Sequence, residues 1–234
     1  MINEETNIRQ KTWDAAVRGN WDAVKRYIEQ EPSMIRVKGD FTEIVDGEKF
    51  CTWRALPLFH LASSRCCDVD VLKTLVSLGA VINKKYFPRK CDFVQVGQTA
   101  LHMAAADNPN VEVSEYLISQ GADINEEDIY GWTPLCYAAQ GNPNVEILKY
   151  FVSQGADVDV KTCDDTTPLY WAASSNSNVE VLRYLVSQGA DVNATMHGDW
   201  SVLDVADSRE KRRFLRSAGA KSAKKSGKMR ERPM

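Results

Sequence analysis

The chain has 234 residues, 44% hydrophobic and 26% charged, which is enough for a buried core and ordinary for a soluble protein. No run approaches 18 consecutive apolar residues, which argues against a membrane-spanning helix, and polar Met1 to Gln10 lacks the apolar centre of a secretory signal, so a cytoplasmic location is expected. The net charge of −3 is unevenly placed: Arg209 to Met234 holds eleven Lys/Arg against two Asp/Glu, a local +9, leaving −12 on the preceding 208 residues.

The first predicted elements are a short helix around Thr12-Trp-Asp-Ala-Ala16 and a second through Asp22-Ala-Val-Lys-Arg-Tyr-Ile28, with polar residues facing outward. A long connection, 36–53, follows; within it Asp46-Gly47 stands between two β-prone runs of the stretch Phe41 to Trp53, a short-range hairpin signal. The next helix pair is Pro57-Leu-Phe-His-Leu-Ala-Ser63 and Val69 to Val76, closed by Gly79-Ala80. A second enlarged connection, 83–97, carries β-prone Phe93-Val-Gln-Val96 and the basic cluster Lys84, Lys85, Arg89 and Lys90.

From there the chain repeats itself. Asn110-Val-Glu-Val-Ser-Glu-Tyr-Leu-Ile-Ser-Gln-Gly-Ala-Asp-Ile-Asn125 returns in near-identical form from Asn144 and from Asn178, a step of 34 residues, and Thr99-Ala-Leu-His, Thr133-Pro-Leu-Cys and Thr167-Pro-Leu-Tyr keep the same step. Each unit predicts two short helices. The Thr133 hydroxyl can cap the first, Pro134 occupies a position whose N–H would be unpaired anyway, and Ala138 and Ala139 are small enough for close helix approach. Asn144 can cap the second, whose expected apolar face is Val145, Leu148, Phe151 and Val152. Gly155 ends it in the left-handed conformation. A helix pair this short buries too little apolar surface alone, so stability must come from stacking neighbours.

The last unit pairs Leu203-Asp-Val-Ala206 with Arg212 to Ala220 and is four residues shorter between its leucine and glycine; its charged residues suit a closing cap. A basic segment, 221–234, follows.

The Thr-Pro-Leu openings and Gly-Ala-Asp-Val-Asn turns resemble those of ankyrin repeats. The Trp, Leu-Gly and Tyr signature of tetratricopeptide repeats, which also step by 34, is missing. The resemblance covers about residues 10 to 220 and is most specific over 97–193. It implies an all-α ankyrin-repeat solenoid of about six helix-turn-helix units, at roughly 10–35, 55–82, 98–125, 132–159, 166–193 and 200–220. These would form one domain, 1–220, followed by a disordered basic tail, 221–234. Connections 36–53 and 83–97 would project as two extended β-hairpin-like fingers near the amino-terminal end, beside the concave face.

Little in the sequence points to catalysis. His60 and His102 fall at the histidine position of the repeat motif, where the ring braces adjoining turns, and His197 stands alone in a turn. A phosphate-cradling glycine loop and Gly-x-Ser-x-Gly are both missing, and Asp164-Asp165 reads as a solvated turn. The six cysteines, Cys51, Cys66, Cys67, Cys91, Cys136 and Cys163, form no Cys-x-x-Cys pair and are expected to be reduced thiols, with no zinc or other cofactor. By resemblance, a partner protein is bound through turn tips and exposed first-helix positions: Met103 and Asp107; Ile129, Tyr130, Trp132, Tyr137 and Gln140; Asp164, Thr166, Trp171 and Ser174; and Trp200. For Trp132 and Trp200, packing between neighbouring turns is the competing role. A monomeric protein-binding adaptor, inhibitor or scaffold is the leading expectation, and a nucleic-acid-associated regulator using the basic tail is the alternative.

Overall fold

The computed structural model describes residues 11–12, 14–30, 58–85 and 97–223. The expected fingers at 36–53 and 83–97 fall largely outside these residues, as do Cys51, Cys91, the tail beyond residue 223 and the His60 side chain. The chain divides into two compact units, Met1–Ile129 and Tyr130–Met234. Apart from one two-residue ladder, the regular structure among the described residues is α-helical.

In the first unit, helical residues 14–17 precede α1 (Trp21–Gln30), and two helix pairs follow: α2 (Leu58–Arg65) with α3 (Val69–Ser77), and α4 (Ala100–Asp107) with α5 (Val111–Ser119). Like stacks on like: α2 packs on α4, and α3 on α5. The second unit contains α6 (Pro134–Gly141) with α7 (Val145–Ser153), α8 (Pro168–Ser174) with α9 (Val179–Ser187), a hairpin of β1 (Thr195–Met196) and β2 (Trp200–Ser201), and the pair α10 (Val202–Val205) and α11 (Arg209–Ser217). There α6 packs on α8 and α8 on α10, while α7 packs on α9 and α9 on α11.

The repeated residues account for the repeated ends. The side chains of Asp68, Asn110, Asn144 and Asn178 accept from the backbone N–H of Asp70, Glu112, Glu146 and Glu180 at 2.9–3.1 Å, capping α3, α5, α7 and α9. The capped residue is itself acidic, which suits the positive end of the helix dipole. At the other end Gly155 takes φ 91°, and the Ala156 N–H returns to the Phe151 carbonyl at 3.0 Å. Gly79, Gly121, Gly189 and Gly219 repeat this closure.

What binds one repeat to the next is a clamp on helix-end carbonyls. The Asn176 amide donates to the carbonyls of Ala139 and Asn142 at 3.0 and 2.9 Å, while its oxygen accepts from the Asn178 N–H at 2.8 Å. Pro143 has no N–H to offer the Ala139 carbonyl four residues back, so that acceptor depends on the next repeat. Asn108 holds the carbonyls of Ser63 and Cys66 in the same way, at 2.9 Å each. The shortened last unit has lost the linking asparagine. Buried Lys211 supplies the donor instead, its ammonium binding the carbonyls of Ala173 and Asn176 and pairing with Asp207 at 3.0 Å.

Two local expectations change. The face of α7 that is buried consists of Ile147, Leu148 and Phe151, while Val145 and Val152 are half-buried, because the stripe turns toward both α6 and α9. The Thr133 hydroxyl makes no bond to the helix backbone and donates to the Cys136 sulfur at 3.6 Å; at Thr167 the expected cap forms, accepting from the Tyr170 N–H.

Candidate functional site

Three aromatic rings of the second unit converge where its first helices begin. Trp132 lies in the turn before α6, Tyr137 on α6 and Trp171 on α8. The ring centroids of Trp132 and Trp171 are 4.5 Å apart and those of Trp132 and Tyr137 are 5.1 Å apart, both tilted. Such offset pairs are favourable beyond their buried area. All three rings are half-buried, so each keeps part of its surface for contact. Tyr170, buried, meets Trp171 edge-on at 5.5 Å and donates its hydroxyl proton to the Met196 sulfur at 3.4 Å.

A closed turn fixes Trp171. Its indole N–H donates to Thr166 Oγ1 at 2.9 Å, and that hydroxyl lies 2.6 Å from Thr162 Oγ1. The Thr162 N–H donates to the Thr166 carbonyl and the Asp165 N–H to the Thr162 carbonyl, so residues 162–166 form a rigid loop with Asp164 and Asp165 at its apex. The backbone of Asp165 is left-handed at φ 60°, and Gly131, one repeat earlier, holds the same place at φ 73°. A Cβ on Gly131 would come within 3.2 Å of the Cys163 nitrogen, so this position requires glycine on two counts. The Cys163 N–H donates to the Tyr130 carbonyl at 2.9 Å, joining the two turns.

His197 is not alone in its turn, contrary to expectation. It occupies the first central position of the β1–β2 hairpin with φ 47°, Gly198 following at φ 74°, the pattern of a type I′ turn. That conformation sets its Nε2 3.4 Å from Asp164 and its Nδ1 3.6 Å from Asp165. The sequence carried a weak sign of this hairpin in His197-Gly198, where the usual first residue is asparagine or aspartate.

The charge around the aromatic rings is one-sided. Helices α6 and α8 contain no charged residue, and the adjoining loops 157–165 and 191–199 carry Asp157, Asp159, Asp164, Asp165, Asp191 and Asp199 against Lys161, with His197. The side chains of Asp164 and Asp165 are 62% and 57% exposed, so a ligand can reach them.

A family model of ankyrin repeats matches the chain in three overlapping stretches, residues 13–128, 59–162 and 101–196, together more than half its length. The chain belongs to the ankyrin-repeat family. Repeats of this family are generally protein–protein interaction modules. Among individual proteins, the chain is similar to the potassium channel AKT1 of Arabidopsis thaliana, 37% identical over 67 residues, which is 29% of this chain and 7% of the channel. It is also similar to the AKT1 channels of Oryza sativa subspecies indica and japonica, each 36% identical over 67 residues, 29% of this chain and 6% of the channel. The matched stretch thus spans less than a tenth of these relatives. Among the described residues of this ankyrin-repeat protein no helix is long and apolar enough to cross a membrane.

The remaining expected contact residues differ in their exposure. On the helices that carry Tyr137 and Trp171, Gln140 and Ser174 are half-buried, with the Ser174 hydroxyl donating to the Trp171 carbonyl at 3.3 Å. Thr166 is 1% exposed, and its hydroxyl serves Trp171 from inside the fold. Trp200 is 9% exposed and pairs with Met196 in the hairpin ladder. Tyr130 is 46% exposed. In the first unit, Met103 is 5% exposed, Asp107 is exposed and accepts from the Ser64 hydroxyl at 3.2 Å, and Ile129 is 52% exposed.

The histidine on α4 has a structural task. Buried His102 accepts the Thr99 N–H at its Nδ1 at 3.0 Å, with the Thr99 hydroxyl 2.8 Å from the same nitrogen. That nitrogen is therefore an acceptor, and the ring closes the first turn of its own helix. Of the four cysteines in the described residues, Cys66 and Cys136 are buried and Cys67 and Cys163 exposed, and no disulfide joins any two of them. No group of three or more His, Cys, Asp or Glu among the described residues is arranged to hold a metal ion.

Proposed function

We propose that this ankyrin-repeat protein is a non-catalytic interaction module, an adaptor, inhibitor or scaffold acting as a cytoplasmic monomer, that holds a partner protein on the face formed by Trp132, Tyr137 and Trp171. The observation that carries this reading is the fixing of Trp171 by Thr166 while its ring stays half-exposed. A contact ring already held in place loses little conformational freedom on binding, and aromatic anchors dominate interface energetics.

The test is affinity capture from a lysate of the native organism, with a Tyr137→Ala/Trp171→Ala variant alongside. The wild-type chain should retain a partner that the variant loses, with the variant's far-UV circular dichroism unchanged. Equal retention by the two would overturn the assignment of this face. Deleting Asp40 to Lys49 tests whether the first enlarged connection extends the surface: capture falls while folding persists, and unaltered capture would refute it.

A further inference from the structure

Resting on the proposed use of that face, we infer that its occupant is an extended protein segment bearing arginine, whose guanidinium lies on the Trp171 and Trp132 rings and pairs with Asp164 and Asp165. The two carboxylates crown the loop that accepts the Trp171 indole N–H, so aromatic surface and negative charge are set side by side by one hydrogen-bonded turn. The helices that carry Tyr137 and Trp171 offer no charge of their own, and the flanking loops carry six aspartates against one lysine. A cation approaching this face meets attraction along its whole edge; an acidic segment meets repulsion.

The chemistry distinguishes arginine from lysine. A guanidinium is planar, so it stacks on an indole while its N–H fork reaches a carboxylate, and it is less strongly hydrated than an ammonium. His197 stands 3.4 and 3.6 Å from these carboxylates at 55% exposure, so a donor-bearing side chain already fits the geometry an incoming guanidinium would extend.

The experiment is selection of a displayed random peptide library on the full chain. Individual peptides are then titrated against wild type, Trp171→Ala, Asp164→Asn/Asp165→Asn, and a control, Glu112→Gln/Glu115→Gln, which removes the same charge from α5. Asparagine is chosen because it tolerates the left-handed backbone at position 165, so the double variant keeps its fold even if Trp171→Ala does not. The expected result is arginine-enriched peptides that weaken at least tenfold with Asp164→Asn/Asp165→Asn, less than twofold with the control, and at least fivefold when arginine is replaced by lysine. Peptides that need Trp171 but show no arginine enrichment would overturn this inference and leave the proposed face standing. Arginine-rich peptides weakened equally by both double variants would also overturn it, since they would be reading the acidic body at large. If no selected peptide depends on Trp171 or the two aspartates, both proposals fall.

Discussion

Replacing Asn176 with alanine isolates the clamp between repeats. The substitution removes three hydrogen bonds: the two donated to the Ala139 and Asn142 carbonyls, and the one accepted from Asn178. Asn176 is 1% exposed, so water cannot readily replace them. At about 1 kcal/mol net for each bond, the loss is roughly 3 kcal/mol, and the unsatisfied carbonyls push it upward. For a chain of this size that lowers the melting temperature by roughly 6–12 °C. Asn176→Asp should cost at least as much. It keeps an acceptor for Asn178 but turns a carboxylate oxygen toward two carbonyl oxygens. Urea unfolding followed by far-UV circular dichroism measures both, with exposed Ser177→Ala as a reference expected within about 0.5 kcal/mol of wild type. A loss below about 1 kcal/mol for Asn176→Ala would show that the clamp is not what couples the repeats.

Gly131→Ala combines a left-handed backbone with a clash against residues 162 and 163, and should cost more than about 2 kcal/mol, whereas Gly155→Ala, with open space around its Cβ, should cost about 1–2 kcal/mol; equal losses in thermal melts would refute the steric part. Burial pushes the Cys66 thiol up to about 11, so an aromatic disulfide reagent at pH 8 should modify exposed Cys67 and Cys163 while Cys66 stays unlabelled until the chain unfolds, as peptide mass mapping would reveal. Burial of Asp204 raises its carboxyl, but hydrogen bonds from Ser222, Ser201 and Ala223 outweigh that and hold it below its ordinary 3.8. A group depressed in the folded state stabilises above its unfolded value and loses that contribution as pH falls through its folded value. Asp204→Asn should therefore narrow the stability gap between neutral and acid pH, and an unchanged acid-unfolding profile would contradict the assignment.

The repeats were legible because every device that builds them is local: a capping asparagine, an apolar stripe and a glycine closure recur 34 residues apart. Hydrogen bonds across repeats were not. That Asn176 serves Ala139 and Asn142 follows only once α6 and α8 are stacked. Lys211 was harder still, because deletion of the link erased the asparagine and the replacement comes from the following helix, where a lysine ordinarily reads as solvated. On α7 the spacing places Leu148 and Phe151 in the buried face but puts Val145 and Val152 where Ile147 belongs, because the three are similarly apolar and only packing on two neighbours separates them. At the site, the 34-residue spacing put Tyr137 and Trp171 at equivalent positions, but the thread from Thr166 to the indole, and His197 between two carboxylates, depend on turn conformations with positive φ that no helical period encodes.

Because each clamp is donated by the later repeat and received by the earlier one, the stack has a direction. As the chain emerges amino-terminus first, the helix ends at Ala139 and Asn142 stay wet until Asn176 has been made, and those at Ala173 and Asn176 until Lys211 arrives. A polypeptide halted short of residue 211 would end in a repeat whose Ala173 and Asn176 carbonyls lack the Lys211 donor and are left to water. The exposed backbone of such a product would lie at its newest edge, while the Ala139 and Asn142 ends already hold their donor from Asn176.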